Sequence, residues 1–228
     1  KKYQDNPNKY VEIICNEMIP KVADQGIAIF NDVFCEKGYF NIDQTRKIIE
    51  CGKNFGLKPR LHVDEFEDIG GIELAIETGA VSVDHLMASK SRSIDLLSNS
   101  NVIATLLPGT SFFLNLDDYA PAREIIDKGV SVALATDYNP GSSHMKNMPF
   151  IILLSTMKLK MSIEEAFVAC TYNAAKSLQL EDSIGSISIG KKADLIIWDI
   201  ETLEEIPYYF MDAPIQKVIK NGKIAFEA

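Results

Sequence analysis

Two of the chain's three histidines stand in acidic company. His62 lies in "LHVDEF" (61–66), followed by Asp64 and Glu65; His85 lies in "VSVDHL" (81–86), preceded by Asp84. Imidazole and carboxylate groups hold zinc or iron and move protons near neutral pH. On a strand, residues two apart share a face, so the spacing predicts His62 and Asp64 on one side and Val63 on the other. Glu65 falls where the strand should give way to a loop. His62 alone reads either as a metal ligand or as a hydrogen-bonded core histidine beside surface acids. His85 reads as a ligand, a general base or a histidine held by its neighbour.

Asp137 closes "VSVALATD", as a carboxylate at a strand end or as a helix cap. The following loop, within "TDYNPGSS" (136–143), gathers Asn139, Pro140, Gly141, Ser142 and Ser143 ahead of a helix. Backbone N–H groups and hydroxyls at a helix N-terminus suit a substrate carboxylate. The plainer reading is a Pro-Gly turn with a capping serine. "LLPGTSFFLN" (106–115) puts another Pro-Gly turn at a strand end. His144 reads as a surface loop residue, and Cys35 in "DVFCE" as a buried thiol.

These residues need elements to position them. Strands are expected at 26–34, 58–66, 80–86, 101–109 and 129–137, and helices at 41–56, 70–79, 91–100 and 118–129, with two more after Asp137. Asn41 or Asp43 should cap the first of these helices and Gly56 should end it. Apolar strands alternating with amphipathic helices imply a parallel sheet covered by helices, either an open doubly wound sheet or a (β/α)8 barrel. No G-x-G-x-x-G or P-loop follows any strand. Asp32, His62, Glu65, His85, Pro108–Gly109 and Asp137 all sit at C-terminal strand ends, which favours the barrel moderately, since open sheets also bind ligands there. Residues 182–228 differ in texture, with short strands and a hairpin turn at Asn221–Gly222, and read as a small β appendage to a barrel portion over 1–181.

The 228 residues are 46% hydrophobic and carry a net charge of −9. The acidic balance argues against nucleic acid as a partner, because phosphate binding needs a basic face. No apolar run approaches a membrane span, and no secretory signal is visible. Four scattered cysteines without a C-x-x-C pair fit reduced thiols in the cytoplasm. The chain opens "KKYQDNPNKY", without an initiator methionine and without a strand. Histidine at one strand end, histidine at the next and aspartate at the last together suit one hydrolytic metal site on a barrel rim.

"LHVDEF", "VSVDHL", "ATDYNPGSS" and the closing "GSISIGKKADLIIWD" resemble the amidohydrolase superfamily. "DVFCE", "LLPGTSFFL" and "NPGSS" resemble the imidazolonepropionase family within it. The resemblance implies a metal-dependent (β/α)8 barrel, present here from about strand 4 to strand 8, with one Zn2+ or iron ion. It implies hydrolysis of the cyclic amide of 4-imidazolone-5-propanoate to N-formimidoyl-L-glutamate, in histidine degradation. His62 and Asp137 would be metal ligands from the fifth and eighth strands, and His85, ending the sixth, would orient or deprotonate the attacking water. Glu65 would hold the imidazolone ring and shuttle protons; Asn139, Gly141 and Ser142 would bind the propionate carboxylate. The substrate would thus be a small carboxylate-bearing molecule, and the family suggests a homodimer. The family's H-x-H strand has no counterpart in the chain, and a substrate-contacting histidine belongs just before Lys1. The chain is therefore expected to be the C-terminal part of a longer enzyme, inactive and weak in metal binding alone. Two other readings stay open: a nucleobase deaminase of the same superfamily, and a non-catalytic half-barrel or scaffold.

Overall fold

The computed structural model describes Tyr3 and residues 5–228; Lys1, Lys2 and Gln4, from the opening stretch read as strandless, lie outside the described residues. The order is α1 (Pro7–Ile13), a π-helical turn (Ile14–Met18), α2 (Ile19–Asp24), β1 (Phe30–Cys35), α3 (Ile42–Asn54), β2 (Lys58–Val63), α4 (Gly71–Thr78), β3 (Ser82–His85), α5 (Ser91–Ser98) and β4 (Ile103–Leu106). Then follow α6 (Pro108–Phe113), α7 (Ala122–Asp127), β5 (Val132–Leu134), α8 (Met148–Met157), α9 (Ile163–Cys170), α10 (Tyr172–Ser177), β6 (Leu195–Trp198), α11 (Glu205–Tyr208), β7 (Ile215–Lys220) and β8 (Lys223–Glu227). One sheet has the strand order β1-β2-β3-β4-β5 and the other β6-β7-β8. The β1–β2 and β2–β3 pairs are parallel, as alternating strands and helices imply. Two compact units part within β4: Lys1–Ala104 with Asp127–Val130, and Thr105–Ile126 with Ser131–Ala228.

In the first unit α3 starts at a capping box. Asn41 Oδ1 accepts the Gln44 N–H at 2.9 Å, and the Gln44 side chain accepts the Asn41 N–H at 3.1 Å. Leu61 and Val63 on β2 and Val83 on β3 are fully buried, as are Ile48 and Ile49 of α3 and Ile72, Leu74 and Ala75 of α4. The helices thus cover one face of the sheet, and α3 and α4 both pack on β2. A Cβ at Gly71 would lie 2.6 Å from Val63 Cγ1, so only glycine lets α4 come this close to the strand. Asp32, Phe34, Arg60, His62 and Asp84 belong to the opposite face by alternation and register.

The second unit holds the end of β4 and β5, joined through the Ala135 N–H to Leu106 O at 3.4 Å. Ile151, Ile152 and Leu154 of α8, with Ala166 and Ala169 of α9, bury its interior. Ser162 and Glu165 form a second capping box at the start of α9. The three-stranded antiparallel sheet lies in this unit, and its β7–β8 hairpin turns at Asn221 (φ 50°) and Gly222 (φ 74°). Two successive residues with positive φ are what a type I′ turn requires.

Several elements differ from expectation. Strands β4 and β5 are much shorter than 101–109 and 129–137. Pro108–Gly109 opens helix α6 instead of making a turn; proline has no N–H to lose in a first helical turn and is preset for it. Of the strand expected from Gly185 onward only Leu195–Trp198 forms, because Gly185 and Gly190 both take positive φ and break the extended run. The opening helical stretch was not foreseen. Its π-helical turn lies just before Pro20, which cannot donate to the preceding turn.

Candidate functional site

The first unit gathers five of its polar residues: Asp32, which lies in the middle of β1 and not at its end as expected, His62, Asp84 and His85 toward the C-terminal ends of β2 and β3, and Glu65 in the loop after β2. Nδ1 of His62 lies 2.9 Å from Asp32 Oδ1 and 3.9 Å from Asp84 Oδ2. The first is a hydrogen bond; the second is only proximity. Asp84 is buried and is held by Arg60 Nη2 at 3.3 and 3.4 Å and by the Ser82 hydroxyl at 3.2 Å. The rings of His62 and His85 have centroids 5.1 Å apart. His85 Nε2 lies 3.6 Å from Glu65 Oε2, and both side chains are buried. One potential ligand atom each from Asp32, His62 and Asp84 fall within 4.8 Å of one another. An imidazole flanked by carboxylates is a donor set that zinc and iron accept.

Backbone geometry explains how His85 reaches this place. In register it pairs with Val63, whose side chain points into the helix layer. Regular alternation would send His85 the same way. Its φ of 84°, followed by 65° at Leu86, breaks the alternation and brings the ring beside His62. Left-handed backbone in non-glycine residues is costly and concentrates at functional sites.

The same effect corrects the expectation for Asp64. With φ 53° it leaves the strand path, and it does not share the face of His62. Its Oδ2 accepts the Ser89 hydroxyl at 2.7 Å, and its carbonyl accepts the Ala88 N–H at 2.7 Å. Asp64 Oδ1 is buried with no hydrogen-bond partner among the described residues. Burial pushes the Asp64 carboxyl up to about 7; the Ser89 hydrogen bond opposes this, and Asp68, Glu73 and Glu36 add to it. Glu36 is also buried, and its two oxygens accept the N–H groups of Lys37 at 2.8 Å and Phe66 at 3.0 Å. Cys35 is fully buried and its thiol is raised by that burial, so it is a packing group as expected.

The second unit holds Asp137 and the loop after it. Asp137 has φ 50°, and its Oδ2 accepts the Thr110 hydroxyl at 2.5 Å. Asn139 Oδ1 accepts the N–H groups of Gly141 at 2.7 Å and Ser142 at 2.8 Å. Asn139 Nδ2 donates to Asp137 O at 2.8 Å and Ser142 Oγ at 3.0 Å. The loop therefore brings Asn139, Gly141 and Ser142 together around one side-chain oxygen. It does not sit on a helix N-terminus, contrary to expectation: α8 begins at Met148, with Asn147 as its cap. His144 is exposed in this loop, as its sequence position suggested.

Sequence reasoning named Asp32 only as a strand-end residue and passed over Glu36, Arg60 and Thr110. "DVFCE" puts two acids four apart at a strand end, and that was the available signal for Asp32 and Glu36.

Among the described residues no helix is long and apolar enough to cross a membrane. The amidohydrolase family model matches residues 38–225, and the chain belongs to that family. The chain is 45% identical over 225 residues to the imidazolonepropionase of Alkaliphilus metalliredigens and 46% identical over 226 to that of a Geobacillus strain. Each alignment covers 99% of this chain and 53% of the relative, so the chain spans about half the length of the curated relatives it matches. Among solved structures, a zinc-bound adenosine deaminase from Xanthomonas campestris matches with a TM-score of 0.72 at 19% identity, over 92% of this chain and 55% of that one. A 5-methylcytosine deaminase from Klebsiella pneumoniae matches with a TM-score of 0.69 at 19% identity, over 84% and 52%. These likenesses establish the fold: part of the (β/α)8 barrel of the amidohydrolases, to which this chain contributes five parallel strands.

Proposed function

We propose that this chain is the catalytic C-terminal part of an enzyme that hydrolyses the cyclic amide of 4-imidazolone-5-propanoate to N-formimidoyl-L-glutamate. The observation that carries this reading is the grouping of His62, His85 and Glu65 at adjacent strand ends, in a chain so similar to imidazolonepropionases. His62 and Asp137, an imidazole and a carboxylate, would hold one zinc or iron ion, the roles the family pattern gives them. Such an ion, when bound, acidifies water and polarises a carbonyl. His85 would take a proton from the attacking water at an imidazole nitrogen. Glu65, beside it, would accept a hydrogen bond from the ring N–H, and the proton taken up by His85 would pass through Glu65 to the nitrogen released when the C–N bond breaks. Asn139, Gly141 and Ser142 would hold the propionate carboxylate, with the Gly141 and Ser142 N–H groups passing to it from Asn139 Oδ1.

The test uses the full-length natural protein that contains this chain. It should convert imidazolonepropanoate to formimidoylglutamate, and His62→Ala should lose both turnover and bound metal. Ammonia release from guanine or cytosine, without imidazolone hydrolysis, would overturn the reading in favour of a deaminase.

A further inference from the structure

We infer that Asp32 is a positioning residue: it fixes the proton of His62 on Nδ1 and so presents Nε2 as the metal-binding nitrogen. The inference rests on the proposed function, in which His62 is a ligand, and adds how the chain prepares it.

The geometry carries the argument. Asp32 and His62 lie on adjacent parallel strands, where Asp32 pairs with Arg60 and Phe34 with His62. Asp32 is thus the diagonal neighbour of His62 on the same face, within reach of its ring. The Nδ1–Oδ1 separation of 2.9 Å is that of a hydrogen bond, and an ionised carboxylate can only accept. Nδ1 must then be the donor, and a neutral imidazole protonated there keeps its lone pair on Nε2. A carboxylate on the far nitrogen of a metal-bound histidine fixes the tautomer and raises its basicity.

A rival use of the same atoms would place an ion among His62 Nδ1, Asp32 and Asp84. Arg60 argues against it. Its guanidinium already lies 3.3 Å from Asp84, and a dication there would meet that charge at short range. Asp84, at 3.9 Å from Nδ1 and held by Arg60 and Ser82, is the lesser partner of the imidazole.

The experiment uses the full-length protein loaded with zinc and labelled with 15N-histidine, with His62→Gln identifying the His62 signals. The wild type should show a slowly exchanging Nδ1–H and an unprotonated Nε2 at His62. An unprotonated Nδ1 in the wild type would overturn the inference without any Asp32 variant. Asp32→Ala should weaken zinc binding, read by chelator competition, about 10- to 100-fold and expose that proton to exchange. Asp32→Asn, which keeps an acceptor oxygen, should lose less. If Asp32→Ala binds zinc as the wild type does while His62→Gln does not, the positioning role falls and the proposed ligand stands. If His62→Gln also keeps its zinc, the ligand assignment and the inference fall together. Loss of zinc in Asp32→Ala from a wild type with no Nδ1–H would make Asp32 a ligand and overturn the inference.

Discussion

The Glu36 carboxylate reaches from the end of β1 to the backbone N–H of Phe66, 3.0 Å away, in the loop that carries Glu65. The loop is therefore tied to the neighbouring strand through a buried acceptor whose other oxygen is also engaged. Glu36→Ala leaves two backbone donors without that acceptor and should cost about 1–3 kcal/mol of stability. It should also raise the KM and lower the kcat of the full-length enzyme, since Glu65 is proposed both to hold the substrate ring and to move protons. Glu36→Gln, which keeps one acceptor oxygen, should be milder in both. Urea denaturation and steady-state kinetics together check this; an unchanged KM in a destabilised Glu36→Ala would remove the link to Glu65.

Gly71 is expected to resist even the smallest substitution. A methyl group there would fall 2.6 Å from Val63 Cγ1 and 2.7 Å from Val63 Cβ, well inside van der Waals contact. Helix α4 would have to move off β2. Gly71→Ala should destabilise by about 1–3 kcal/mol despite alanine's better helix propensity. Thermal unfolding decides it: a stabilised variant would mean that the helix and strand have room to spare.

Ser89→Ala removes the hydroxyl that donates to buried Asp64 at 2.7 Å. Losing a hydrogen bond to a buried carboxyl should cost about 1–3 kcal/mol. The loops after β2 and β3 are also joined by the Ala88 N–H to Asp64 O, so the variant should fold with local loosening. Hydrogen exchange at residues 64–67 and 86–89 should speed up, while α5 stays protected. Uniform acceleration across the first unit would contradict this local role.

The acid limb of stability should involve Glu165. Arg123 binds it bidentately at 2.9 and 3.0 Å, and together with the Ser162 N–H this holds its carboxyl below the usual glutamate range. A depressed folded-state value means the unfolded chain takes up the proton first as pH falls. The stabilisation is therefore complete above about pH 5 and lost as pH drops through the folded-state value. The pair is partly solvent-exposed, so its worth is at most about 1 kcal/mol. Glu165→Gln should narrow the stability gap between pH 7 and pH 3, measured by urea midpoints; an unchanged gap would exclude this pair as a contributor.

The parallel sheet and helices 41–56, 70–79, 91–100 and 118–129 were legible because the apolar period marks each segment, with a capping residue in agreement at Asn41. His62, His85 and Asp137 stand out in the sequence as candidates because each lies in or closes an apolar run with a group that does not belong in one. What lay hidden was set between segments or by single torsions. No local signal places Asp32 beside His62, since strand register decides it. Period-two reasoning put Asp64 on the face of His62 and would have put His85 on the opposite one; the left-handed torsions at both residues reverse this. Pro108 was read as a turn because proline at a helix's first position and at a turn look alike in one sequence.

Those torsions carry a consequence for anyone trying to toughen this protein against heat. Asp64, His85, Leu86 and Asp137 each occupy a conformation that asparagine or glycine adopts more cheaply. Leu86 is fully buried and the Asp64 carboxyl holds Ser89, so glycine would lose more at those two positions than it gains. Selection for heat resistance alone should instead turn His85 and Asp137 to asparagine, at the expense of the chemistry proposed for them.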